Sequence, residues 1–183
     1  MKILGLSGSL RRDSHNTRLL EGARTLLPSG VELVIFERLA EIPPYSEDDE
    51  HDASAAVAAL KAAIAGADAL LVATPEYNGS IPGALKNALD WASRPRATTP
   101  LQGKPAAVVG ASTGLFGAVW AQAELRKVLS TIGARVVDRD LPIAQAEDAL
   151  GSDGLPLERA AMQELSATLD ELLELADPLR VAA

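Results

Sequence analysis

Three stretches of the chain hold residue types that can do chemistry. "GASTG", Gly110 to Gly114, fits G-x-S-x-G, the strand-turn-helix elbow that presents a nucleophilic serine. "SGSLRRDSHNT", Ser7 to Thr17, gathers hydroxyls, an amide and two arginines, the donor types that hold an anion. "EDDEHD", Glu47 to Asp52, surrounds His51 with carboxylates. An elbow serine needs a histidine within hydrogen-bond reach, and in α/β-hydrolases that histidine follows the serine in the chain. Here the 2 histidines, His15 and His51, both precede Ser112. A nucleophilic Ser112 is therefore disfavoured, and Gly114 and Gly117 suit close backbone approach to a ligand instead. The acidic run lacks the glycine turn and spacing of a calcium loop, and one histidine makes a poor transition-metal set. It reads as a solvated acidic loop bordering the active-site mouth, with no metal site expected.

The hydroxyl-rich stretch lies just before a helix, where free N–H groups and the positive end of the helix dipole favour an anion. Ser7, Ser9, Ser14 and Thr17 add small donors, Asn16 an amide, and Arg11 and Arg12 charged donors. The pattern suits a terminal phosphate. The competing reading is a serine-rich helix cap with solvated arginines. There is no G-x-x-x-x-G-K-[ST] for a nucleoside triphosphate and no G-x-G-x-x-G for a dinucleotide. A further loop, "PEYNGSIPG" from Pro75, offers backbone groups from Glu76 to Gly79 and the Asn78 amide to the polar edge of a flat heterocycle. Tyr77 is its aromatic, with an ordinary surface tyrosine as the rival reading.

The elements that must position these loops follow from the apolar patterning. "KILGL", "VELVIF", "ALLVATP", "AAVVGAS" and "ARVVD" read as five strands. Between them lie helical runs. "NTRLLEGARTLL" stops at Pro28 and Gly30, "AAVAALKAAIA" ends at Gly66, and "IPGALKNALDWAS" has Pro82 in its first turn. A fourth run, "LFGAVWAQAELRKVL", passes through Val128 and Leu129, and a last helix places Met162, Leu165, Leu169 and Leu172 on one face before Pro178. Strands apolar throughout, alternating with helices, mean a parallel sheet covered on both faces. The expected fold is α/β, a flavodoxin-like doubly wound five-stranded parallel sheet of order 2-1-3-4-5 with helices on both faces. The 183 residues, 48% hydrophobic and free of cysteine, read as a single domain, 1–183, without disulfides or thiol catalysis.

In such sheets ligands bind beyond the carboxyl ends of the strands, at the switch point between strands 1 and 3. The rule selects three loops, 7–16, 75–80 and 111–117. A phosphate pocket, an edge-reading loop and a glycine-lined wall together describe a flavin mononucleotide (FMN) site.

"GSLRRDSHN" and "PEYNGSIPGALKNALDW" closely resemble the signature stretches of the NAD(P)H-dependent FMN reductase family, with quinone- and chromate-reducing members. The resemblance runs from Met1 to about Gly133. It implies that Ser9, Leu10, Arg11, Ser14, Asn16 and Thr17 surround the FMN phosphate. It implies that Pro75, Glu76, Tyr77, Asn78 and Gly79 contact the ribityl chain and ring, and that Ser112 and Gly114 touch the ring. It also implies NADPH or NADH as co-substrate, a small-molecule electron acceptor, and a homodimer or homotetramer with sites near the subunit interface. The hard chemistry belongs to the cofactor, so no side chain is assigned as catalytic. The chain departs from the family at Trp120, where many relatives carry arginine, and at Asp13, where a small residue is common. Asp13 is expected to face solvent.

The alternative is a flavodoxin-type FMN electron carrier that oxidises no pyridine nucleotide. Such carriers usually sandwich the ring between aromatics, and aromatics are only 3% here. A net charge of -8 argues against nucleic acid or an anionic membrane as partner. No apolar run approaches the roughly 20 residues of a membrane helix, and the N-terminal segment does not read as a signal peptide. A cytoplasmic location is expected.

Overall fold

The computed structural model describes residues 1–177. Its sheet contains β1 (Lys2–Ser7), β2 (Glu32–Ile35), β3 (Ala69–Thr74), β4 (Pro105–Ala111), β5 (Arg135–Val136) and β6 (Pro142–Ile143). The order is β2-β1-β3-β4-β5, all neighbours parallel, as the alternation predicts. The fifth position, however, is shared. β5 pairs with Pro105 and Ala106 at the start of β4, and β6 pairs with Gly110 and Ala111 at its end. A strand of only two residues opening on proline carries no strand signal, which is why β6 is invisible to patterning.

Side chains alternate across the central strands and build one core on each face. Leu70, Val72, Ala106 and Val108 pack with Val57, Leu60 and Ile64 of α2 (Ala55–Ala65), Leu85 and Leu89 of α3 (Gly83–Ala92), and Leu125 and Leu129 of α4 (Val119–Ile132). Leu71, Ala73, Ala107 and Val109 face the other way, against Leu19, Leu20 and Ala23 of α1 (His15–Leu26). After the short α5 (Ala146–Ala149), α6 (Arg159–Ala176) adds Leu165, Leu169 and Leu172 to that second core. Met162 is only half-buried, and Pro178, expected to follow the helix, lies outside the described residues. Pro82 stands at the N-cap of α3, one position before its first turn.

The connection after β2 is more ordered than a polar loop. Glu47–Asp52 forms a 3-10 turn with no buried residue. Its neighbour Tyr45 stacks edge-on against Trp91 (5.2 Å) and donates to Glu50. That hydrogen bond raises the Tyr45 phenol above its ordinary range. Asn87 of α3 grips this connection on either side of Pro44, donating to Pro43 O (2.8 Å) and accepting from Tyr45 N (2.7 Å). Trp91 Nε1 donates to the same Pro43 carbonyl at 2.8 Å. Two residues of the "GALKNALDW" signature therefore hold a loop in place.

Candidate active site

The strands β1, β3 and β4 end side by side, and their loops converge. In the first loop Ser14 caps α1, its hydroxyl accepting from Thr17 N at 3.2 Å. The N–H groups of His15 and Asn16, the first two helical positions, precede any intrahelical acceptor. Arg11, Arg12 and Asp13 are exposed, Asp13 toward solvent as expected. Asn16 is buried and reaches β4: its Nδ2 donates to Ala111 O (2.9 Å) and its Oδ1 accepts from Ala111 N (3.0 Å). Its amide is thus a clamp between the first and third loops, with one N–H left over.

In the second loop Tyr77 and Ser80 exchange backbone hydrogen bonds (3.0 and 3.2 Å) around Asn78 and Gly79, whose φ values are 54° and 74°. Two left-handed residues between paired neighbours make a type I′ turn, the standard use of Asn-Gly. Glu76 does something the sequence did not suggest. Its Oε2 accepts from both Trp120 N and Ala121 N at 3.1 Å. The N-cap of α4 is Ala118, which has no capping side chain and sits at φ 61°, so a carboxylate from another loop satisfies the first turn.

The third loop answers the G-x-S-x-G pattern. Ser112 Oγ accepts from Gly114 N at 3.1 Å, a local turn of the kind serine favours. A Cβ on Gly110 would lie 2.8 Å from the fully buried Gln122, so the first glycine makes room for that side chain. Gln122 donates to Gly117 O and Leu141 O and accepts from Leu141 N, fastening the loop to the segment before β6. Gly117 was expected to border a ligand. Instead φ is +59° and a Cβ would come within 2.5 Å of the Pro142 backbone, so it serves packing against the chain.

The three loops enclose a cleft. Of the residues expected there, Ser9, Arg11, Ser14, Asn16, Pro75, Glu76, Tyr77 and Ser112 line it, joined by His15, Ala111 and Thr113. The others stand off its wall. Leu10 and Thr17 face a neighbouring hollow beside β2, where Thr17 Oγ1 donates to Ser7 Oγ at 2.8 Å. Asn78 and Gly79 stand at the exposed tip of their turn, and Gly114, also exposed, closes the Ser112 turn without lining the cleft. Both ring nitrogens of His15 are buried without a hydrogen-bond partner. No Ser112–His15 hydrogen bond exists, so the elbow has no base. Arg11 supplies a cationic side chain to the cleft beside free helix N–H groups, a donor set that fits a phosphorylated cofactor. At the rim Phe116 and Trp120 meet at a 57° tilt with centroids 4.8 Å apart, 60% and 51% exposed, with Leu115 74% exposed beside them.

A doubly wound parallel sheet of order 2-1-3-4-5 with three loops converging at its switch point is of the flavodoxin-like class. The chain belongs to the NADPH-dependent FMN reductase family, whose profile matches residues 1–148. It is 41% identical over 174 residues to an NAD(P)H-dependent FMN reductase of Pseudomonas aeruginosa, spanning 94% of this chain and 93% of that one. It is 38% identical over 172 residues to a 2-hydroxy-1,4-benzoquinone reductase of Burkholderia sp, spanning 93% of each. Among solved structures it superposes on a flavoenzyme NAD(P)H:(acceptor) oxidoreductase from Paracoccus denitrificans with a TM-score of 0.83. That match has 35% identity and covers 96% of both chains.

Proposed function

We propose that the protein is an NAD(P)H-dependent FMN-containing reductase whose acceptor is a small molecule, free FMN or a quinone before an azo compound or a metal oxyanion. The observation that carries the reading is the convergence of the three switch-point loops on one cleft that pairs Arg11 with the first turn of α1. Similarity to reductases of FMN and of a benzoquinone supports the substrate class. A bound FMN would supply the hydride and electron-transfer chemistry between the pyridine nucleotide and the acceptor. The chain's part is to hold and orient. Ser9, Arg11, Ser14 and the N–H groups of His15 and Asn16 face the phosphate. Backbone groups from Pro75 to Gly79 would hold the ribityl chain and ring, and the turn of Ser112 to Gly114 would back the ring.

The exposed Leu115, Phe116 and Trp120 support a homodimer or homotetramer in which a second copy covers the rim. Sedimentation velocity tests this, a monomer at all concentrations counting against it. Residues 1–183 act as one FMN-binding unit, and use of NAD(P)H supports work in the cytoplasm. Among the described residues no helix is long and apolar enough to cross a membrane.

The deciding experiment is the absorption spectrum of purified protein, with the flavin released by acid identified and NADPH oxidation followed with and without benzoquinone. A protein that neither carries nor binds FMN overturns the reading. One that binds FMN but oxidises neither NADPH nor NADH is an electron carrier instead.

A further inference from the structure

Away from the three loops, a hollow of about 500 Å³ opens between α3 and α4 and the connection from α3 to β4. Both helices run back from the carboxyl ends of their strands, as parallel crossovers must. The hollow takes in Ser93, which ends α3, and Gly133, which ends α4. It therefore lies toward the amino ends of the strands, at the opposite end of the sheet from the cleft.

Its charge sets it apart. On a chain with a net charge of -8, the hollow is lined by the cations Lys86, Arg94, Arg96 and Lys127 and by a single carboxylate, Asp90. Lys86 Nζ donates to both oxygens of Asp90, at 2.7 and 2.8 Å, which neutralises the pair. Arg94 donates to Ser93 Oγ at 3.0 Å and lies 3.8 Å from Glu50. The side chains of Arg96 and Lys127 make no hydrogen bond or ion pair with any described residue. Cations commonly complement the negative end of a helix dipole, but neither α3 nor α4 has a basic residue in its last turn. Two cations are thus left facing one hollow without a partner.

The remaining walls suit an organic body more than a bare ion. Val128 and Ile132 of α4 bring half-buried apolar side chains to the hollow. Gln102 occupies the space that a Cβ on Gly133 would need, and its amide makes no hydrogen bond with a described residue. Small-molecule sites are typically concavities of about 300–1,000 Å³ that join apolar walls to a few polar groups. Free guanidinium and ammonium donors match the oxygens of a phosphate.

We propose that this hollow binds a small organic phosphate with a flat ring, of mononucleotide size. Arg96 and Lys127 hold the phosphate, the ring lies against Val128 and Ile132, and the Gln102 amide offers its edge a donor and an acceptor. The site is separate from the three-loop cleft and stands or falls independently of what that cleft holds.

The test follows the backbone amide resonances of the protein as purified while AMP, adenosine or inorganic phosphate is added. AMP is expected to shift residues 93–102 and 127–133, and to bind there roughly tenfold more tightly than adenosine or inorganic phosphate. The double variant Arg96→Gln, Lys127→Gln is expected to weaken AMP at these residues by roughly tenfold. Both side chains are exposed and unpartnered among the described residues, so the variant keeps its fold. Inorganic phosphate binding as tightly as AMP would mean an adventitious ion only and overturns the proposal. So does an AMP affinity indifferent to the double substitution, or AMP shifts confined to the three-loop cleft. A hollow silent to AMP in wild type, with the variant sedimenting as a smaller species, overturns it in favour of a surface covered by a second copy.

Discussion

Asn16 and Ala111, 95 residues apart in the chain, exchange two hydrogen bonds in which the side-chain amide of one pairs with both backbone groups of the other. The pair is buried and joins the helix N-terminus of the first loop to the last residue of β4. A residue that the family resemblance assigns to the phosphate is therefore also the tie that sets the distance between two walls of the cleft.

Asn16→Ala leaves the N–H and C=O of Ala111 buried without partners. An unsatisfied buried group costs about 1–3 kcal/mol, so the expected destabilisation is about 2–5 kcal/mol. Urea unfolding of the FMN-free protein measures it. Unchanged stability with weakened FMN binding would instead make Asn16 a pure ligand contact.

Arg11→Ala has the opposite signature. Arg11 is exposed, and its backbone N–H alone makes a contact, a long one of 3.4 Å to Ser9 Oγ. The fold is expected to survive while FMN affinity falls by about 1.5–3 kcal/mol, the scale of a charge-assisted hydrogen bond. Titration with FMN reads this directly, and equal affinity in mutant and wild type removes Arg11 from the phosphate site.

These two cases show where the sequence could be read and where it could not. The strands β1, β3 and β4 were legible because they are apolar throughout, and Ser14 because a serine before an apolar-periodic run signals a cap. The switch-point rule then located the cleft without any contact being known. What stayed hidden depends on partners distant in sequence. Gln122 looks like any polar residue of an amphipathic helix, yet it is buried by the segment before β6. Glu76 caps α4 from another loop, a role that no local pattern encodes. The run "LFGAVW" reads as helix, but the left-handed Gly117 and Ala118 delay α4 until Val119.

Kinetics test the shared cleft. On the proposed FMN site a ring backed by these loops would turn one face to the protein, so NAD(P)H and quinone would have to alternate on the other. Parallel double-reciprocal lines are expected when both are varied. Intersecting lines, the mark of a ternary complex, would mean that the acceptor has a site of its own.

The last prediction separates the roles within "GASTG" and its following glycines. Ser112→Ala removes an acceptor from Gly114 N–H and one hydroxyl from the cleft wall. A neutral hydrogen bond contributes roughly 0.5–1.5 kcal/mol, so quinone-dependent NAD(P)H oxidation should fall only several-fold. Gly114 is not in the left-handed region, and a Cβ there would meet only Ser112 Oγ, at 3.5 Å. Gly114→Val should therefore leave the FMN-free protein folded, and on the proposed site, where the turn of Ser112 to Gly114 backs the ring, it should lower flavin occupancy. Gly117→Ala differs again, since its Cβ would lie 2.5 Å from the Pro142 carbonyl carbon at a φ of +59°. That variant should lose stability with or without FMN. Thermal unfolding, flavin occupancy and quinone reductase activity distinguish the three. If Ser112→Ala were inactive while fully loaded with FMN, the serine would be catalytic after all, since covalent catalysis is what cannot survive loss of the attacking oxygen.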